Sequence, residues 1–145
     1  MDGADAPATR CAVLGDPIDH SLSPVLHRAG YAALGLDALG WTYDAVRVPA
    51  GGLADFVTSL DGTWRGLSLT MPLKREAMPL AHELTSRARW VGAANTLWFV
   101  DGRTVATNTD LTGAAAAVHE RYDGVISAVS VLGAGATAAS TGLAL

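Results

Sequence analysis

A single cysteine, Cys11, occurs in 145 residues. An intramolecular disulfide is thereby excluded, as is a zinc centre built on cysteine pairs. Cys11 reads instead as a small apolar residue in a buried strand. Long hydrophobic runs are missing too. Gly, Asp or Arg interrupts every apolar stretch well short of the roughly 20 residues that a membrane-crossing helix needs. Met1 to Arg10 carries two Asp and no apolar core. This fits a flexible tail over 1–10 and not a secretory signal, so a cytoplasmic location is the expectation. Positive charge is scarce, with 10 Lys plus Arg against 14 Asp plus Glu and a net charge of −4. That balance gives no electrostatic footprint for nucleic acid or an anionic membrane, whereas a small anion needs only a local site.

Half of the residues are apolar, enough for a core of ordinary size. Cys11 to Gly15, closed by Asp16-Pro17, has the pattern of a strand buried on both faces. Pro24 stands where a first helical turn tolerates proline, and apolar residues follow at helical spacing through Leu36. Strands are expected over 42–48 and 65–70, with a helix over 53–60 between them. Helical character resumes after Pro72 and again over 81–89. Asp101-Gly102 joins strand-like segments 95–100 and 104–106 as a two-residue hairpin. An Ala-rich helix over 111–122 leads to a strand over 127–132, and a last helix follows Gly135. This alternation predicts an α/β fold: a three-layer αβα domain with a mostly parallel, mixed sheet and an antiparallel edge, followed by the first βα piece of a Rossmann-type unit. The implied segments are a first domain over 11–110, a connecting helix over 111–126 and the start of a second unit over 127–145. The last helix reaches Leu145 without a cap, which reads as a chain cut from a longer one.

Four groups of residues could carry chemistry. Gly133-Ala134-Gly135-Ala136-Thr137-Ala138 fits a G-x-G-x-x-A turn after a strand, where backbone N–H groups can receive a pyrophosphate; an Ala/Gly-rich turn without a ligand fits the same pattern. Ser21 and Ser23 flank a helix start and could hold a carboxylate, or Ser23 could simply be an N-cap before Pro24. Thr70 closes a strand and Lys74 follows at the start of a helical segment. A cation is disfavoured there, so Lys74 calls for a partner or is a solvated surface residue. Asn95 and Asp110 lie at the open ends of the hairpin and can face the same cleft, although Asn108 to Asp110 also has the composition of a turn and cap. His20 and His27 lack ligand-spaced partners, so no metal site is expected.

Gly15-Asp16-Pro17-Ile18-Asp19-His20-Ser21-Leu22-Ser23-Pro24, Ser68-Leu69-Thr70-Met71-Pro72-Leu73-Lys74, Ala94-Asn95-Thr96, Asn108-Thr109-Asp110 and the Gly133 turn, taken in this order, resemble the shikimate dehydrogenase family. The likeness runs from about residue 12 to the end, and it makes 11–110 a substrate-binding domain and 127–145 the start of a dinucleotide-binding domain. It implies reversible NADP-linked reduction of 3-dehydroshikimate to shikimate, a step towards chorismate and the aromatic amino acids, with NAD as the other candidate cofactor. By resemblance, Ser21 and Ser23 would hold the substrate carboxylate, and Ser68, Thr70, Asn95 and Asp110 the ring hydroxyls. Lys74 and Asp110 match the family's catalytic pair, and Gly133, Ala134, Gly135, Ala136 and Thr137 its cofactor turn. Hydride delivery to a ketone builds negative charge on oxygen, which an ammonium stabilises and can protonate. The sequence departs from the family at Ser68, usually Asn, at Arg28, often Asn, at Ala136, commonly Gly, and at Ala139, often Arg. Ser68 and Arg28 keep open a quinate or aminoshikimate dehydrogenase. A stand-alone module that binds a small carboxylate without chemistry is the other alternative. With only the start of a cofactor unit, the 145-residue chain is expected to bind substrate weakly and to turn it over hardly at all. The implied partner is the small-molecule substrate, and the oligomeric state is not legible.

Overall fold

The computed structural model describes residues 8–145. Six strands form one sheet: β1 (Thr9–Gly15), β2 (Trp41–Arg47), β3 (Trp64–Leu69), β4 (Glu83–Leu84), β5 (Thr96–Val100) and β6 (Arg103–Thr107). Five helices accompany them: α1 (Ser23–Ala33), α2 (Leu53–Thr58), α3 (Ser86–Val91), α4 (Asp110–His119) and α5 (Ala136–Ala144). The strand order is β2-β1-β3-β5-β6-β4. β5 is antiparallel to both of its neighbours, and all other pairings are parallel. The sheet is therefore mixed and mostly parallel, as the pattern predicts. Its antiparallel strand, β5, is internal and not at the edge, because it lies between β3 and β6, and β4 then covers the outer side of β6.

Every residue of β1 from Cys11 to Gly15 is buried, since both sheet faces are covered. On one face Ala12, Leu14, Leu67, Leu69 and Leu97 pack with Leu53 of α2 and Ala88 of α3. On the other, Cys11, Val13 and Tyr43 pack with Ile18, and Tyr31 of α1 covers them. Fully burying a leucine contributes about 1.5–3 kcal/mol, so the first face supplies most of the apolar driving force. Asp101 and Gly102 have φ of 49° and 72°. These are the paired left-handed residues that a two-residue hairpin requires.

Three segments differ from the sequence expectations. No helix crosses 81–85: Met78–Leu80 is a single 3₁₀ turn, and the chain then runs extended beside β6. There His82 N–H donates to Thr104 O at 2.9 Å and Thr85 N–H to Ala106 O at 3.0 Å. Pro79 disfavours a continuous helix, and the hairpin edge offers ladder partners instead. α3 starts only at Ser86, capped by the Thr85 hydroxyl. Residues 71–77 form successive turns and not a helix. Residues 127–132 form no strand, because none of the six strands offers them a ladder, and Val131 and Leu132 lie exposed. Of the expected tail, Thr9 and Arg10 belong to β1, and 1–7 lies outside the described residues. Among the described residues no helix is long and apolar enough to cross a membrane.

Candidate active site

The site begins where β1 and β3 end side by side. Thr70 N–H donates to Leu14 O, and Asp16 N–H to Met71 O, both at 2.9 Å. This approach requires glycine at 15: a Cβ there would collide with the Thr70 side chain and lie 2.8 Å from Met71 O. The turns after Thr70 place Lys74 on the hairpin base, where its carbonyl accepts from Ala94 N–H at 2.8 Å.

The hairpin brings the remaining groups. Pairing of Thr96 with Thr107 puts Asn95 beside the start of α4. Lys74 Nζ lies 2.6 Å from Asp110 Oδ2, and the two side chains are only 13% and 29% exposed. Partial removal from water strengthens such a contact relative to a surface ion pair. Asn95 Nδ2 donates to Asp110 Oδ1 at 2.7 Å and to Thr109 Oγ1 at 2.8 Å. Its Oδ1 accepts from Thr109 N–H at 3.0 Å, which fixes the orientation of the amide. Asp110 is also the first residue of α4, where the helix dipole favours a carboxylate.

Asn108 holds this corner from below. It is fully buried and donates Nδ2–H to Ala93 O at 3.0 Å. Its Oδ1 accepts from Asp110 N–H at 3.0 Å, Leu111 N–H at 3.3 Å and the Ser140 hydroxyl at 3.3 Å. The turn-and-cap reading of this cluster is correct for Asn108, which caps α4 while Asp110 is left to Lys74.

α5 supplies the other wall. Thr137 Oγ1 lies 3.3 Å from Lys74 Nζ. A cavity of about 610 Å³ separates Thr70, Met71 and Lys74 from the Gly133-to-Thr137 turn. Gly133 has φ 118°, Gly135 is extended, and a Cβ at either would meet only open space. The turn thus presents bare backbone at the start of a nine-residue helix, which suits an approaching phosphate group.

The serines gather on the α1 side of the sheet. Ser23 N–H donates to Ser21 Oγ at 3.3 Å as α1 begins. Ser68 Oγ accepts from the Tyr43 hydroxyl at 2.7 Å. Burial pushes the Tyr43 phenol above its ordinary value, while hydrogen bonding with Ser68 and Ser23 pulls it partly back. The structure thus brings together Thr70, Lys74, Asn95, Asp110 and Thr137, and links Ser68 with Ser23 through Tyr43. None of the three serines hydrogen-bonds to Lys74. Tyr43 and Ser140 escaped the sequence reading. Only the alternation of β2, which turns Tyr43 inward towards α1, could have flagged the tyrosine. Arg28 binds the Tyr43 carbonyl at 2.8 Å and Asp44 at 2.7 Å, so it braces α1 on β2 and does not face the serines.

Residues 13–97 match the family model described as the shikimate dehydrogenase substrate binding domain. The shikimate dehydrogenase (NADP(+)) of Ignicoccus hospitalis is 38% identical over 134 residues, which is 92% of this chain and 50% of that protein. The crystal structure of Thermus thermophilus shikimate 5-dehydrogenase in complex with shikimate superposes with a TM-score of 0.85 at 34% identity, covering 94% of this chain and 51% of that one. That of the Mycobacterium fortuitum shikimate 5-dehydrogenase gives 0.72 at 46% identity, covering 76% and 41%. The chain spans about half the length of the curated relatives it matches. It belongs to the shikimate dehydrogenase family and corresponds to the family's N-terminal substrate-binding region.

Proposed function

We propose that this chain is the substrate-binding part of an NADP-dependent shikimate dehydrogenase, which interconverts 3-dehydroshikimate and shikimate in the cytoplasm on the route to chorismate. The observation that carries the reading is the Lys74–Asp110–Asn95 network at 2.6 and 2.7 Å, whose Lys74 lines one cavity together with the glycine turn. Residues 11–110 would form the substrate domain, 111–126 the connector and 127–145 the start of the cofactor domain.

In this reading Ser21 and Ser23 receive the substrate carboxylate, and Ser68, Thr70, Asn95 and Asp110 receive ring hydroxyls. NADP supplies the hydride when bound, and Gly133, Ala134, Gly135, Ala136 and Thr137 fit its pyrophosphate. The chain's own residues handle the proton. Lys74 Nζ, held by Asp110, stands ready to donate to the oxygen on which charge develops. Asp110 keeps the amine aimed, and Asn95 keeps Asp110 in place. Water is partly excluded there, so the ammonium's field is less screened than at the surface.

Calorimetric titration of this chain with shikimate tests the reading. Measurable one-site binding is expected, and it should weaken in Asn95→Ala. No heat of binding at millimolar shikimate would remove its basis. A second reading retains the enzyme class and takes quinate as substrate. It draws support from Ser68, whose short side chain is already engaged by Tyr43. Parallel titration with quinate decides between the two substrates.

A further inference from the structure

Tyr43 lies on β2, two strands from Ser68 on β3, and β1 runs between them. Neighbouring strands are about 4.8 Å apart, so the phenol has to reach across β1 to touch the serine. Cys11 and Val13, the β1 residues on that face, are small enough to let it lie flat. Its ring is clamped: His27 stacks on it with centroids 3.9 Å apart and planes 10° from parallel. Tyr31 meets it edge-on at 6.4 Å, and only 2% of Tyr43 is exposed. His27 is tied in turn to the serine turn, with Nδ1 2.9 Å from Ser23 O. A phenol so enclosed stays protonated, and the hydroxyl it meets at 2.7 Å is Ser68 Oγ, with Ser23 beside it. Once Ser68 Oγ accepts that bond, its own O–H must point elsewhere. Ser68 is half-buried, and in the proposed function the group that its O–H meets is the ligand.

We propose that Tyr43 is a positioning residue that fixes Ser68 as a hydrogen-bond donor to an acceptor oxygen of the ligand, extending the Ser21–Ser23 subsite onto the sheet. A hydroxyl that accepts from a phenol is itself polarised into a better donor. The ligand class served is a hydroxylated cyclic carboxylate, so the inference rests on the proposed function. Tyr43 does not itself reach the ligand. It acts through Ser68, and that makes its effect separable from packing.

The test is a double-mutant cycle on the whole 145-residue chain, with the shikimate dissociation constant read by calorimetry for wild type, Tyr43→Phe, Ser68→Ala and the double variant. Tyr43→Phe preserves the stacked ring and leaves Ser68 accessible to water. The expected result is roughly twofold to tenfold weaker binding in Tyr43→Phe, the range for one lost hydrogen bond. The double variant should then bind no more weakly than Ser68→Ala alone. Unchanged affinity in Tyr43→Phe, or losses that simply multiply in the double variant, would overturn the proposal while leaving the functional reading intact. Wild-type protein that fails to bind shikimate would overturn both.

Discussion

Lys74 sits where water is scarce, with its side chain 13% exposed and a carboxylate 2.6 Å away. A solvated surface lysine would show neither feature, so the surface alternative that its sequence position allowed does not describe it. In a full-length enzyme of the proposed function, Lys74→Ala is expected to lower kcat by about 10²- to 10⁴-fold, the usual contribution of one placed proton donor. Shikimate affinity should change little. Steady-state kinetics with both substrates varied would check this, and unchanged turnover would end the catalytic assignment. Asn108 governs folding more than chemistry. Its replacement by Ala strands Ala93 O and two helix N–H groups in a buried corner, while the Ser140 hydroxyl keeps Ala136 O as partner. The expected loss is about 2–4 kcal/mol in urea unfolding, the sum of a lost cap and an unsatisfied buried partner. Its capping role was legible from the Asn-Thr-Asp run. Its bond to Ser140 was not, because only packing of α5 on α4 reveals a partner 32 residues away.

Among the elements, the hairpin was the most legible, because Asp-Gly specifies backbone angles directly and does not depend on distant contacts. Gly102 has φ 72° and open space around it, so Gly102→Ala should cost only the conformational penalty of about 1 kcal/mol. A thermal melt that drops by more would show an unrecognised contact at the turn. Gly15 is the opposite case. Its backbone angles suit other residues, but a Cβ meets Thr70 and Met71 O. Gly15→Ala should destabilise by about 1–3 kcal/mol through overpacking and should also weaken shikimate binding, since Thr70 must move. Unfolding and calorimetry on the same variant test both effects; intact binding would detach Thr70 from the ligand. Segments 81–85 and 127–132 were misread for a shared reason. Apolar periodicity reports that a segment is buried or amphipathic, but a strand exists only where a neighbour offers a ladder. Residues 83–84 found one on β6, and 127–132 did not.

Across the whole molecule the two sheet faces differ in chemistry. The α2–α3 face is closed by aliphatic side chains together with Trp64 and Phe56, none of which ionises, whereas the α1 face carries two phenols, Tyr31 and Tyr43, over Cys11. Burial is the leading cause that raises both phenols above their ordinary value, and the hydrogen bond between Tyr31 and Cys11 raises Tyr31 further. A group whose proton is held more tightly in the folded state stabilises that state fully below its unfolded pKa, about 10 for tyrosine, and loses the contribution as pH rises towards the folded value. The α1 face should therefore be the alkaline weak point of the fold. Urea unfolding midpoints should stay level between pH 8 and about 9.5 as far as these phenols are concerned, then fall above pH 10. Tyr43→Phe should flatten part of that fall, because phenylalanine has no proton to lose. Absorbance of tyrosinate provides the independent check: the signal of the two buried phenols should rise together with loss of tertiary structure. If both ionised near pH 10 with the near-ultraviolet circular dichroism unchanged, the packing of α1 on the sheet would be looser than the stacked His27 and Tyr43 rings require, and the fixed donor at Ser68 would lose its support.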